Sequence, residues 1–310
     1  MVSCMVCLHP FWLRREGFPV ACGRCVACKI MRTHEWAMRL VMEREYWNDA
    51  AFVTLTYRDV DLPPTLRPRH LQLYIKRLRK ALGEERKIKY FGCGEYGDKG
   101  GVVQEGPRAG QFVHRPHYHA IIFGLSPVND RQLIMDKWPY ADWQELESTY
   151  RGRKAVGTVT YDSCRYVSGY VQKKLYGKKA KEEFESSGQI QPFSRKSQGL
   201  GLQFALDNKS ILEDSLVVGC RGYSVALPRY FRDKLNIDPQ RIAAKHWEDV
   251  KDDYEAFLKQ KHLQDSPDAR VQYAYFGEYR NPLNIQFRAQ REKDLFAKMR
   301  NYRGELEFDL

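Results

Sequence analysis

With 310 residues, 43% of them hydrophobic, the chain can bury one large core or two smaller ones. Its 51 Lys and Arg against 39 Asp and Glu leave a formal net charge of +12, which favours a polyanionic partner such as nucleic acid. No window approaches the roughly 18 to 20 apolar residues of a spanning helix, and the start MVSCMVCLHPFWLRREG has none of the features of a signal peptide, so no membrane role and a cytosolic location are expected.

Five of the eight cysteines, Cys4, Cys7, Cys22, Cys25 and Cys28, fall in the first 28 residues. Such clustering at CxxC spacing in an unexported chain predicts thiolate ligation of a structural Zn2+, two cysteine-bearing turns separated by a short loop. Five cysteines compete for four places. Cys22 and Cys25 belong to every set; Cys4 and Cys7 complete one, Cys7 and Cys28 the other, and the set Cys7, Cys22, Cys25, Cys28 is carried forward with Cys4 as the alternative. Cys93, Cys164 and Cys220 are scattered and read as small buried hydrophobes.

A helix is expected from about Met31 to Trp47, with Trp36, Leu40, Glu43 and Trp47 at helical spacing. AFVTLTY, from Ala51 to Tyr57, reads as a strand. PRHLQLYIKRLRKALG repeats Leu71, Ile75, Leu78 and Leu82 on one face of a helix that stops at Gly83. Its Lys76, Arg77, Arg79 and Lys80 form a basic outer side, a candidate DNA contact. KIKYFGCGEYG is again a strand, along which Phe91, Cys93 and Glu95 share a face. After a Gly-rich loop from Gly97 to Pro116 comes RPHYHAIIFG, where His117 and His119 share a face with Ile121 and Phe123, and Tyr118, Ala120 and Ile122 take the other. If these two strands pair as a hairpin, Glu95 meets the two histidines at one end of the sheet. Two imidazoles and a carboxylate suit a divalent ion with open positions, Mg2+ or Mn2+.

VNDRQLIMDKW reads as a short capped helix and VGTVTYD as a strand. In SCRYVSGYVQKKLYG, Ser163 to Gly177, a helix capped by Asp162 or Ser163 carries a core stripe of Val167, Val171 and Leu175. Beside it run Tyr166 and Tyr170, about 6 Å apart at one-turn spacing, with Lys173 and Lys174 one turn further. A phenol has a pKa near 10, so a tyrosine nucleophile needs a cation or metal beside it, and Lys173 or Lys174 is a candidate source. Residues 178–201 read as a polar mobile loop, SLVVGCRGYSVALPRYF as a hairpin and a helix starting at Pro228. IAAKHWEDVKDDYEAFLKQKHLQ and QFRAQREKDLFAKMRNY read as two long charged helices. No phosphate-cradling GxxxxGK[ST] occurs, which argues against an intrinsic ATPase or helicase.

Taken in order, ACGRCVAC, FVTLTY, RLRKAL, YFGCGEYG, RPHYHAIIFG, YVSGYVQKKL and LPRYF resemble the HUH endonucleases, most closely the rolling-circle replication initiators of the gokushovirus branch of the microviruses. The resemblance runs to about residue 235. It implies an α+β fold, a central antiparallel sheet flanked by helices, with the zinc knuckle and first helix in 1–48, the endonuclease core in 49–236 and a charged helical region in 237–310. It implies metal binding by His117, His119 and Glu95, and nicking and rejoining of single-stranded DNA at a viral origin. Of the paired tyrosines Tyr166 and Tyr170, one would hold the 5′ phosphate covalently and the second would act after one round. The implied partners are origin DNA and a host helicase and polymerase, in the host bacterial cytoplasm. Two features depart from the family pattern: the long 97–116 loop and the extra Cys4. The rival classes are a zinc-dependent DNA-binding regulator without catalysis, which leaves His117, His119 and the tyrosines unexplained, and a hydrolytic metal nuclease, which leaves the tyrosines idle.

Overall fold

A computed structural model describes residues 11–13, 18–97, 100–149, 155–170, 182, 184, 186–220, 223–238, 241 and 255. They fall into two compact units, one drawn from residues 32–207 and the other from residues before 32 and after 207.

The larger unit is built on a five-stranded sheet in the order β8-β3-β7-β4-β9, antiparallel at every pairing. Its strands are β3 (Ala50–Leu55), β4 (Lys89–Tyr96), β7 (Pro116–Phe123), β8 (Val156–Thr158) and β9 (Phe193–Lys196). With the flanking helices this is the α+β class expected. Every residue of β3 is buried and β7 is central, so both of their faces must be covered. One face, with Tyr118, Ala120 and Ile122, packs on α2 (Pro68–Leu82) through Leu71, Tyr74, Ile75, Leu78 and Leu82, and on Trp138. Pro68 starts that helix and Gly83, at φ 69°, ends it. The other face, with Phe52, Phe91, Ile121 and Phe123, packs on Leu40 of α1 (Val26–Arg44) and on Cys164 and Val167 of α5 (Tyr161–Gly169). Fully burying one such side chain is worth about 1.5–3 kcal/mol, so these two layers carry the unit. At Gly94 a Cβ would lie 2.8 Å from the Phe193 ring, so the glycine lets β9 lie close against β4.

Several boundaries differ from the sequence reading. Helix α1 begins at Val26, directly after Cys25, and ends at Arg44; Trp47 lies beyond it, and its indole N–H donates to Glu43 at 2.8 Å. The long connection after β4 contains a two-stranded ribbon, β5 (Gly101–Val102) with β6 (Phe112–Val113). Helix α5 is capped by Thr160, whose hydroxyl accepts from the Ser163 N–H while the Ser163 hydroxyl accepts from the Thr160 N–H, so the cap precedes both expected residues. Residues 171–177 of the expected helix lie outside the described residues. In α3 (Arg131–Asp136) the Asp130 carboxylate takes the N–H of Ser126 and the guanidinium of Arg86 instead of capping the helix. Strand β9 arises in what read as a mobile loop; an edge strand of FSRK has no apolar alternation to announce it.

The second unit holds a ribbon of β1 (Phe11–Leu13) and β2 (Phe18–Val20) between the expected cysteine turns, and the start of α1. It also holds a hairpin of β10 (Val217–Cys220) and β11 (Tyr223–Ala226), followed by a helix Arg229–Leu235 with Pro228 at its N-cap, as the sequence suggested. Three short helices went unassigned in the sequence reading: α4 (Trp143–Thr149) and Leu202–Asp207 in the larger unit, and Lys209–Ser215 in the second. The two charged C-terminal helices lie outside the described residues, apart from single positions. No helix among the described residues is long and apolar enough to cross a membrane.

Candidate active site

Strands β4 and β7 pair with Glu95 directly opposite His117 and Cys93 opposite His119. Residues opposite one another across antiparallel strands project from the same face, so this register puts the carboxylate and both imidazoles together on the α1/α5 side. His117 Nε2 lies 3.0 Å and His119 Nε2 3.4 Å from Glu95 Oε1, and ligand atoms of all three lie within 4.8 Å of one another. The cluster is less open than a solvent-facing metal site would be. Glu95 is 3% and His119 5% exposed, with only His117 half-buried. Burial pushes the Glu95 carboxyl up, but hydrogen bonds and charge from His117 and His119 outweigh it and hold the group well below the usual carboxylate range.

The backs of the imidazoles are also held. His117 Nδ1 faces the Arg115 carbonyl at 3.1 Å; a carbonyl only accepts, so Nδ1 carries the proton and Nε2 turns its lone pair toward Glu95. His119 Nδ1 faces the Thr54 hydroxyl at 3.1 Å, and the ring stacks on Phe52 with centroids 5.8 Å apart. The sequence reading missed Thr54. Its signal was a hydroxyl at an inward position of a fully buried strand, opposite His119 in register. Two neutral nitrogen donors with fixed orientation and one ionised carboxylate fit a divalent ion, and the ligand set leaves coordination positions for substrate.

Helix α5 brings its tyrosines to the same place. The Tyr166 hydroxyl is 3.4 Å from His119 Nε2. The Tyr170 ring stacks on His119 at 5.2 Å and 9°, and meets Tyr166 edge-on at 4.9 Å. Both rings are half-buried and pack on the apolar layer, so they are core and site at once. Burial first, then the charge of Glu95 and the neighbouring Tyr166, push the Tyr170 phenol far above its ordinary value. In these surroundings the phenol keeps its proton unless a cation offsets Glu95. Lys173 and Lys174 lie outside the described residues.

The basic helix does not join this site. Lys76, Arg79 and Lys80 are exposed and Arg77 reaches the Lys137 carbonyl at 3.5 Å, all on α2, which covers the opposite face of the sheet.

In the second unit, Cys22, Cys25 and Cys28 converge, with ligand atoms within 4.8 Å of one another and Cys22 Sγ 4.0 Å from Cys28 Sγ. The N–H groups of Arg24 and Cys25 donate to Cys22 Sγ at 3.4 and 3.3 Å, an environment that favours thiolate. Three soft donors at the start of α1 fit three of the four places of a tetrahedral zinc ion. Cys28 thus stands with Cys22 and Cys25, while Cys4 and Cys7 lie outside the described residues.

The family model for the replication-associated proteins of the ORF2 type matches residues 50–175, a span that contains Thr54, Glu95, His117, His119, Tyr166 and Tyr170. The chain is 29% identical over 267 residues to replication-associated protein ORF2 of Spiroplasma virus 4, covering 78% of this chain and 72% of that protein. It is 29% identical over 238 residues to replication-associated protein ORF4 of Chlamydia phage 1, covering 72% and 55%, and 31% identical over 180 residues to replication-associated protein VP4 of Bdellovibrio phage phiMH2K, covering 51% and 50%. The chain therefore spans only about half the length of the last two relatives. No solved structure matches.

Proposed function

We propose, from the premise that this chain belongs to the rolling-circle replication-associated proteins of microvirus-like phages, that it cuts and rejoins single-stranded DNA at a viral origin through a tyrosine-bound intermediate. The observation that carries the reading is the approach of the Tyr166 hydroxyl, with the Tyr170 ring beside it, to the nitrogen of His119 that also faces Glu95. A nucleophile and a carboxylate–imidazole cluster at one point are what transesterification of a phosphodiester requires, whereas a binding protein has no use for them.

Glu95, His117 and His119 would hold Mg2+ or Mn2+, which supplies charge neutralisation at a non-bridging phosphate oxygen and offsets the Glu95 charge that keeps the phenols protonated. The tyrosine oxygen attacks phosphorus, the bond from phosphorus to the 3′ oxygen breaks, and the 3′ oxygen leaves with a proton as a hydroxyl. The 5′ phosphate stays on the tyrosine as a diester, so the bond energy is kept for rejoining. Arg115 and Thr54 fix the imidazoles through their outer nitrogens; Phe52 and the apolar layer keep the rings in place and limit water. With both tyrosines against one imidazole, either can reach a shared phosphate, which suits alternating cut and close steps.

The test is incubation with single-stranded origin DNA and Mg2+ or Mn2+, followed by denaturing electrophoresis. The expected result is a protein–DNA adduct that persists in each single variant, Tyr166→Phe and Tyr170→Phe, and disappears in the double variant. Cleaved DNA without an adduct would make the protein a hydrolytic nuclease, and binding without cleavage a regulator.

A further inference from the structure

We infer that the β5–β6 ribbon is a single-stranded DNA contact in which Phe112 stacks on a base close to the phosphate held at the Glu95, His117 and His119 cluster. The inference rests on the reading just given and adds a recognition element to it. The ribbon is the excursion between β4 and β7: it leaves two residues after Glu95 and returns just before His117, closed at its root by the Gly97 N–H to the Arg115 carbonyl at 3.0 Å. Five residues separate Phe112 from His117, so an extended chain keeps them within about 17 Å, a few nucleotides at most.

Within the ribbon, Val103 is 1% exposed and Val113 packs with it on the α2-side core, whereas Val102 and Phe112, directly opposite each other in register, are 51% and 67% exposed. A two-stranded ribbon with one face on a core is expected to carry polar residues on its outer face. Here that face carries a valine and an aromatic ring. The ring is also placed: a Cβ on Gly100 would fall 2.3 Å from Phe112, so the glycine makes room for the ring to lie against the backbone, and His114 meets it edge-on at 5.9 Å.

The ribbon is pinned, which keeps the ring where it stands. Asp59 accepts the Gln104 N–H at 2.6 Å and pairs with the Arg115 guanidinium, and Arg108 donates to the Pro63 carbonyl at 3.0 Å. At the tip, a Cβ on Gly106, at φ 80°, would fall 2.7 Å from Val60 Cα.

The occupant follows from size and charge. One valine and one phenylalanine offer at most about 250 Å2, far below the roughly 800 Å2 each partner gives a stable protein interface, but the right size for the face of one base. Arg108, Arg115 and the exposed His114 flank the ring against a single Glu105 among the described ribbon residues, in a chain of net charge +12, so a polyanion is the matching partner. Stacking on a fixed ring is tolerant of sequence, which suits a strand held by its phosphate elsewhere.

The test measures binding of a 20-nucleotide oligo(dT) by anisotropy for wild type, Phe112→Leu and Phe112→Trp. Leucine keeps the apolar surface and removes the ring; tryptophan keeps a ring. The expected result is a roughly 5- to 100-fold weaker affinity for Phe112→Leu, with Phe112→Trp close to wild type. In adduct formation on origin DNA, the loss should appear as a higher DNA concentration for half-maximal yield. Wild-type affinity in Phe112→Leu would overturn the inference, as would concentration-dependent self-association in sedimentation that Phe112→Leu leaves intact and Phe112→Ser abolishes. A wild-type protein that binds through Phe112 but never forms an adduct would instead overturn the tyrosine chemistry and leave the ribbon contact standing.

Discussion

The two metal-ready clusters of this chain are assembled by opposite means. Cys22, Cys25 and Cys28 follow one another at three-residue steps where a helix begins, so local backbone geometry alone brings their sulfurs within 4.8 Å. Glu95 and His117 are 22 residues apart and meet only because two strands pair in one register, with a ribbon between them. The first cluster gathers soft thiols in a segment with few apolar neighbours; the second gathers a hard carboxylate and two imidazoles inside a packed layer. A site made by spacing depends on its ion for order, whereas a site made by register inherits order from the sheet. Removing a ligand should therefore unfold one region and merely disarm the other.

The largest effect is expected at the thiols. Cys22→Ser or Cys25→Ser should give insoluble or protease-sensitive protein, and elemental analysis of wild type purified without chelators should find about one zinc per chain; structural zinc binding in small domains is worth on the order of 10 to 16 kcal/mol. Protein free of zinc that still folds would break the comparison. At the other cluster, His117→Ala should lower adduct formation by at least about 100-fold with an unchanged circular dichroism spectrum, because the half-buried ring adds little to the core. His119→Ala should match it in activity and also cost about 1–3 kcal/mol of stability in a denaturant titration, since His119 lies between Phe52 and Tyr170. Glu95→Gln keeps an oxygen donor without charge, and should be milder or shift the preferred metal.

Thr54→Val sharpens the contrast at the next level. It retains the shape of the side chain and removes the hydroxyl at His119 Nδ1, so Mn2+ affinity measured by titration should fall roughly 10-fold while folding is preserved. Replacing Lys76, Arg77, Arg79 and Lys80 together tests a different placement. These cations sit across the sheet from the site, so the log–log salt dependence of single-strand binding should change by much less than the roughly 0.7 per charge expected of direct phosphate contacts. The smallest effect concerns pH. Burial pushes the Asp59 carboxyl up, but the N–H of Gln104 and the charge of Arg115 more than offset this and leave its pKa lowered. A depressed acid stabilises the fold above the usual aspartate range, near pH 4, and loses that contribution as pH falls further. Asp59→Asn should therefore flatten the acid limb of a thermal-stability profile slightly and leave neutral pH almost unchanged.

The apolar alternation of RPHYHAIIFG fixed which residues of β7 share a face, since side chains in a strand cannot do otherwise, and the helix of Leu71, Ile75, Leu78 and Leu82 was equally legible from its period and its proline and glycine ends. The tyrosine pair was visible as a stripe, although the cap at Thr160 was not, because a capping box competes with nearby Asp and Ser residues of similar propensity. Nothing in FSRK marked an edge strand, and nothing in the glycine-rich connection marked a pinned ribbon, since both depend on partners distant in sequence. Spacing along the chain thus determined the donors and their local grouping: three thiols at a helix start, two imidazoles on one face, two phenols on one stripe. Only the tertiary structure decided that Glu95 stands opposite His117, that Thr54 holds His119, that both tyrosines reach that imidazole and that the basic helix lies across the sheet. The reason is physical: local geometry sets direction within an element, but register and the choice of covered face come from burying two apolar surfaces at once.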